Sequence, residues 1–133
     1  MRSVTIPLPI QVTLATLLAM TTKLGYVTVD CADARSLAPF WASALGWETT
    51  YEADDGAVLA NPGGGEPKLF LQVVPEAKSV KNRVHVDLVA DDFDADLERL
   101  RGLGATVLST DKTPDGKPSA VLSDPQGNEF CLA

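Results

Sequence analysis

Two stretches of this chain follow one plan, and few folds accommodate that. YVTVDCAD (26–33) runs into a segment of helical periodicity that closes at Leu45 and Gly46. HVDLVADD (85–92) runs into a second such segment that closes at Leu103 and Gly104. In each copy an alternating strand leads to an acidic residue seven positions on, Asp33 or Asp92, placed to cap a helix, and a glycine stands where the helix would stop. One folding unit is used twice. The second copy opens on His85, the only histidine, and the first on Tyr26, so the copies share a shape but not a chemistry.

Periodicity fills in the rest of each unit. A strand is expected over 24–30, then a helix over 34–45 that carries Leu37, Phe40, Trp41 and Leu45 at helical spacing, with Pro39 near the limit a helix tolerates. Strands follow at 47–52, 57–60 and 68–74, divided by DDG (54–56) and NPGGG (61–65). Residues 75–82 read as a linker. The order then repeats: strand 83–90, helix 93–103, and strands 106–109, 119–122 and 129–132, divided by TPDG (113–116) and DPQG (124–127). The fold class is α+β, with the order βαβββ twice.

At 133 residues the chain is one domain, long enough to bury roughly two-thirds of the surface it would expose unfolded. A net charge of −7 leaves no basic surface for phosphate backbones, so nucleic acid is excluded as a partner. Cys31 and Cys131 are too few for a disulfide framework and read as reduced thiols in a cytoplasmic protein. Residues 1–22 differ from the remainder. Arg2 followed by an apolar run has a faint signal-peptide look, but Pro7 and Pro9 interrupt it and no small-residue cleavage site follows. The run is also too short to span a membrane. We read it as a non-essential extension, with Met20 an alternative start and Leu14, Leu17 and Leu18 available to cover a neighbouring subunit.

The segments DCAD (30–33), FW (40–41) ahead of LGW (45–47), HVDL (85–88) and DPQGNEFCL (124–132) closely resemble the vicinal oxygen chelate superfamily. Its members include glyoxalase I, extradiol dioxygenases, fosfomycin-resistance enzymes and bleomycin-binding proteins, and this chain is most similar to the small glyoxalase-like domain branch. The resemblance covers 23–133. It implies modules at 23–76 and 83–133 that form a curved mixed sheet with a concave cleft, and a homodimer. It does not fix a reaction, which must be argued from the site.

Alternation splits each strand into two faces. Val27 and Val29 oppose Tyr26, Thr28 and Asp30; Val84, Val86 and Leu88 oppose Arg83, His85, Asp87 and Val89. Leu69, Leu71 and Val73 oppose Lys68, Phe70, Gln72 and Val74, and Phe130 and Leu132 oppose Glu129 and Cys131. The apolar sets are expected under the helices. The resemblance implies that the other sets line the cleft, so Tyr26, Asp30, Phe70, Gln72, Arg83, Asp87 and Cys131 are the expected ligand-binding residues, with His85 and Glu129 the candidate catalytic pair. Histidine is the side chain suited to general acid or base work near neutral pH, and Asp87 or Glu129 could orient it.

In metal-dependent relatives the ligands come from the start of each module's first strand and the middle of its last, and the resemblance places Tyr26, Gln72, His85 and Cys131 there. Tyrosine is a poor ligand for a divalent ion at neutral pH. The expectation is therefore a small-molecule-binding protein without a cofactor. One alternative is a lyase or isomerase with a divalent ion such as zinc, nickel, iron or manganese held by His85, Gln72 and Glu129; a His85 and Cys131 pair completed by Asp87 or Glu129 would also permit zinc, although the spacing matches no recognised zinc motif. Another is a bleomycin-type antibiotic-binding resistance protein, whose acidic cleft would attract a cationic drug.

Overall fold

A computed structural model describes residues 13–14 and 22–133. The extension expected over 1–22 lies almost wholly outside the described residues.

The first module is β1 (Tyr26–Cys31), α1 (Ala34–Leu45), β2 (Glu48–Ala53), β3 (Gly56–Ala60) and β4 (Lys68–Val73). The second is β5 (Asp87–Leu88), α2 (Phe93–Leu103), β6 (Thr106–Lys112), β7 (Pro118–Ser123) and β8 (Glu129–Leu132). Both helices start and stop where the repeated residues demand. Asp33 accepts from the Ser36 N–H and Asp92 from the Ala95 N–H, both at 3.2 Å. Gly46 and Gly104 follow the helices at φ 68° and 118°, a region that costs a side-chain-bearing residue energy.

Each module builds its own four-stranded mixed sheet, in the orders β1-β4-β3-β2 and β5-β8-β7-β6. In both, the first strand runs parallel to the fourth and the hairpins are antiparallel. The first strand of the second module is far shorter than the expected 83–90. Its approach is diverted because Glu129, at the start of β8, accepts from the Asn82 main-chain N–H and from Lys78, with the Asn82 amide against the Glu129 main chain. Val84 is consequently 80% exposed, contrary to its expected place under the helix.

Leu37, Leu59, Leu71, Leu100, Leu122 and Phe130 are fully buried, each burial worth about 1.5–3 kcal/mol. Phe40 and Trp41 on α1 pack against Phe130 on β8 with ring centroids 6.0 and 5.0 Å apart, so one core spans both modules. The terminal motif completes the join. Asp124 Oδ1 accepts from the Gln126 and Asn128 main-chain N–H groups, and Oδ2 accepts from Trp41 Nε1 and Asn128 Nδ2. Asn128 Nδ2 also reaches the Asp30 carbonyl at 3.3 Å. Gln126 spans to the N-terminus of α1, where Oε1 accepts from the Ala32 and Asp33 N–H groups and Nε2 donates to the Asp33 carbonyl and Ser36 Oγ.

Candidate functional site

A cleft of about 460 Å³ lies between the modules. One wall is the edge of β1, residues 27–32, and the other is the segment 76–86; Asn128 and Glu129 lie at its end and Trp41 beneath. Asp30, Arg83, His85 and Glu129, all expected from sequence, line this cleft. Tyr26, Phe70 and Gln72 do not; they belong to the first sheet.

Glu129 is committed to the wall itself. Its Oε1 lies 3.0 Å from Lys78 Nζ and its Oε2 accepts from the Asn82 N–H at 3.0 Å. The Asn82 N–H and then the Lys78 ammonium hold its carboxyl well below the usual range, at about 2. A carboxylate so engaged organises the linker.

His85, Asp87 and Cys131 form a second group. Asp87 and Cys131 are cross-strand partners on β5 and β8, and His85 precedes Asp87 by two residues on the same face. His85 Nδ1 lies 3.0 Å from Asp87 Oδ1 and 3.7 Å from Cys131 Sγ. Both contacts fall on one ring nitrogen, whereas a nucleophile–base–orienter triad uses the two nitrogens separately. Burial, followed by the charge of Asp87, pushes the Cys131 thiol up, so the sulfur stays protonated at neutral pH. A ligating atom of each residue lies within 4.8 Å of the others.

Strand register resolves what the first module offers in return. Asp87 pairs with Cys131, and its counterpart Thr28, two residues beyond Tyr26, pairs with Phe70. Phe70, not Gln72, is therefore the equivalent of Cys131. The first module sets Tyr26 and Phe70, two aromatics, where the second sets His85 and Cys131. Tyr26 is half exposed with Lys68 Nζ 6.0 Å from its ring centroid, and Phe70 lies over Gly56, where an added Cβ would come within 2.6 Å of its ring. At these two positions the first module offers a phenol and a hydrocarbon ring in place of imidazole, thiol or carboxylate.

The sequence model of the glyoxalase-like domain family matches residues 26–133. The chain belongs to that family. No curated protein matches it in sequence. A glyoxalase/bleomycin resistance protein/dioxygenase family enzyme from Burkholderia phytofirmans PsJN has a TM-score of 0.68 at 18% identity, over 84% of this chain and 97% of that one. A glyoxalase-related enzyme from Fulvimarina pelagi has a TM-score of 0.66 at 17% identity, covering 84% and 86%. The fosfomycin resistance protein FosX of Listeria monocytogenes, as an E126Q mutant complexed with Mn(II) and 1S,2S-dihydroxypropylphosphonic acid, has a TM-score of 0.67 at 14% identity, covering 85% and 89%. These likenesses establish the shared fold. The fold is thus shared by differently named proteins, and the residues of this cleft must carry the functional argument.

Lys78, Lys81, Asn82, Gln126 and Asn128 are cleft or wall residues that the sequence reading passed over. The DPQGN spacing was the available signal for the last two, since it marks a turn whose side chains bind main chain. Nothing local signalled the lysines.

Proposed function

We propose that this chain is a glyoxalase-like protein that binds a small organic molecule in the cleft between its modules without needing a metal ion. The observation that carries this reading is the register equivalence: where a cage drawn from both modules would need donors, the first module presents Tyr26 and Phe70. The polar groups along the cleft, among them Thr28, Asp30, Arg83 and His85, supply hydrogen bonds that orient a ligand. The test is a small-molecule screen by thermal shift, run with and without EDTA. Hits that persist in EDTA and are lost in His85→Ala or Arg83→Ala support the reading; binding that EDTA abolishes overturns it.

One observation favours a second reading. His85 Nδ1, Asp87 and Cys131 Sγ offer nitrogen, oxygen and sulfur within 4.8 Å of one another, a donor set that suits zinc and leaves one position open. An ion held there would supply a Lewis acid for a lyase or isomerase step on a vicinal-oxygen substrate. Of the donor sets expected from sequence this is His85 and Cys131 completed by Asp87; the set of His85, Gln72 and Glu129 draws less support, because Glu129 is engaged by Lys78 and Asn82 and Gln72 lies on the first sheet. Elemental analysis of untagged protein tests it: about one equivalent of metal that disappears in both His85→Ala and Cys131→Ser would establish the site. Sequestration of a cationic drug of the bleomycin type draws less support, since Lys81 and Arg83 lie on the cleft wall.

A homodimer in a reducing, cytoplasmic compartment belongs to the same proposal. Leu24, Tyr26, Val84 and Val89 are exposed apolar side chains that a second copy could cover, and both cysteines are free thiols. Light scattering on the purified protein tests the dimer. No helix among the described residues is long and apolar enough to cross a membrane.

A further inference from the structure

Carboxylates outnumber basic side chains 18 to 11 in this chain, yet Lys68, Lys81, Arg83 and Lys112 have no ion pair among the described residues. The described ion pairs occupy Lys23, Arg35, Lys78, Arg99, Arg101 and Lys117. Lys81 and Arg83 have no ion pair or hydrogen bond among the described residues, and both stand on one wall of the cleft. That wall is not slack. Lys78 is bonded to Glu129 and to the Val80 carbonyl, and the Asn82 N–H to Glu129, so the main chain is pinned on both sides of Lys81 and immediately before Arg83.

The main chain adds further donors. Gly25 and Cys31 turn their carbonyls to β4, as Val86 and Leu88 turn theirs to β8. Alternation then points the main-chain groups of Tyr26, Thr28 and Asp30, and those of His85 and Asp87, toward the opposite edge of each strand. The Asp30 carbonyl is taken by Asn128, but no main-chain hydrogen bond among the described residues joins the β1 edge to 83–89. The Thr28 and His85 N–H groups are thus free for a ligand in the cleft that both residues line.

We propose that the ligand of this cleft is a small oxyanion, a carboxylate, phosphate or phosphonate, whose negative oxygens are taken by Lys81 and Arg83 with the Thr28 and His85 N–H groups as further donors. The inference rests on the cleft reading above and names its ligand class. Charge-assisted bonds from an ammonium and a guanidinium are among the stronger contacts available to a small ligand. Asp30 on the β1 wall and Glu76 on the same wall as Lys81 and Arg83 also line the cleft, so a bound anion must sit away from both. Glu129 does not compete for these cations, because Lys78 and Asn82 occupy it.

A matched pair of probes tests this at constant ionic strength. Glycolate and ethylene glycol differ in carrying a carboxylate or a hydroxymethyl group, and inorganic phosphate supplies the other anion class. Amide spectra are recorded during each titration. The expected result is saturable shifts at Thr28 and at residues 81–85 with glycolate, phosphate or both, and none with ethylene glycol. The anion that binds identifies the source. In the Lys81→Ala/Arg83→Ala double variant, whose truncated side chains are exposed and whose remaining spectrum should be unchanged, affinity should fall at least tenfold. Equal shifts with ethylene glycol and glycolate would overturn the oxyanion proposal while leaving the cleft reading intact. No shift with any probe at tens of millimolar would also overturn it, and a neutral-fragment screen would then decide the cleft reading separately.

Discussion

Trp41 on α1 donates its indole N–H to Asp124 Oδ2 at 3.1 Å, from one module to the other. The tryptophan is 2% exposed and the aspartate equally so, which makes this a bond between a core side chain and a buried carboxylate. Three more donors, the Gln126 and Asn128 N–H groups and Asn128 Nδ2, complete the aspartate's set. Buried carboxylates persist only when saturated in this way.

Trp41→Phe should therefore cost more than its lost volume. It removes one donor from a buried charged acceptor and leaves a void against Phe130, a combined loss of about 2–4 kcal/mol. Urea denaturation followed by far-UV circular dichroism measures it. A loss below about 1 kcal/mol would mean that water replaces the indole and that this bond does not fasten the modules.

Gln126→Ala should be gentler and more local. Its four contacts reach Ala32, Asp33 and Ser36 at the exposed start of α1, where water can substitute, so the cost is about 1 kcal/mol. Its signature is faster hydrogen exchange at the Ala32 and Asp33 amides with the α2 amides unchanged. Uniformly faster exchange would instead indicate a global loss of stability.

How far the sequence could be read follows from which interactions are local. Both helices lie at 34–45 and 93–103 as the periodicity and caps require, because Asp33, Gly46, Asp92 and Gly104 act on their nearest neighbours. The buried faces of β4 and β8, with Leu69, Leu71, Phe130 and Leu132, follow from alternation. The shortening of β5 was not legible, since it depends on Glu129 holding Asn82 from 47 residues away. The choice between Phe70 and Gln72 as the first-module equivalent of Cys131 was equally out of reach. Loops of different length precede β4 and β8, so counting from the turn fails, and only the strand register aligns the two modules.

The Glu129 clamp predicts a definite pH dependence. Its carboxyl titrates at about 2 when folded against an ordinary value of 4.5, so the unfolded chain takes up the proton first. The stabilisation is present in full above about 4.5 and is lost as pH falls toward 2. Melting temperatures of the wild type and Glu129→Gln should differ at pH 7 and converge as pH drops through that window. A gap that is constant from pH 7 to 2 would show that the clamp does not depend on the glutamate's charge.

The Cys131 thiol carries the last prediction. Burial raises its pKa, and the charge of Asp87 across the strand pair adds to that. Because only the thiolate is alkylated, Cys131 should react slowly with iodoacetamide at pH 8 for a half-exposed cysteine. Asp87→Asn removes the charge but keeps the size, so the thiol pKa should fall and alkylation should quicken several-fold. Measuring the rate from pH 7 to 10 separates this from a change in access. A lower pKa moves the midpoint of the profile to lower pH, whereas greater access raises the plateau without moving the midpoint. Movement of the midpoint would assign Asp87 the role of holding the sulfur neutral beside His85, and a raised plateau alone would leave burial as the whole cause.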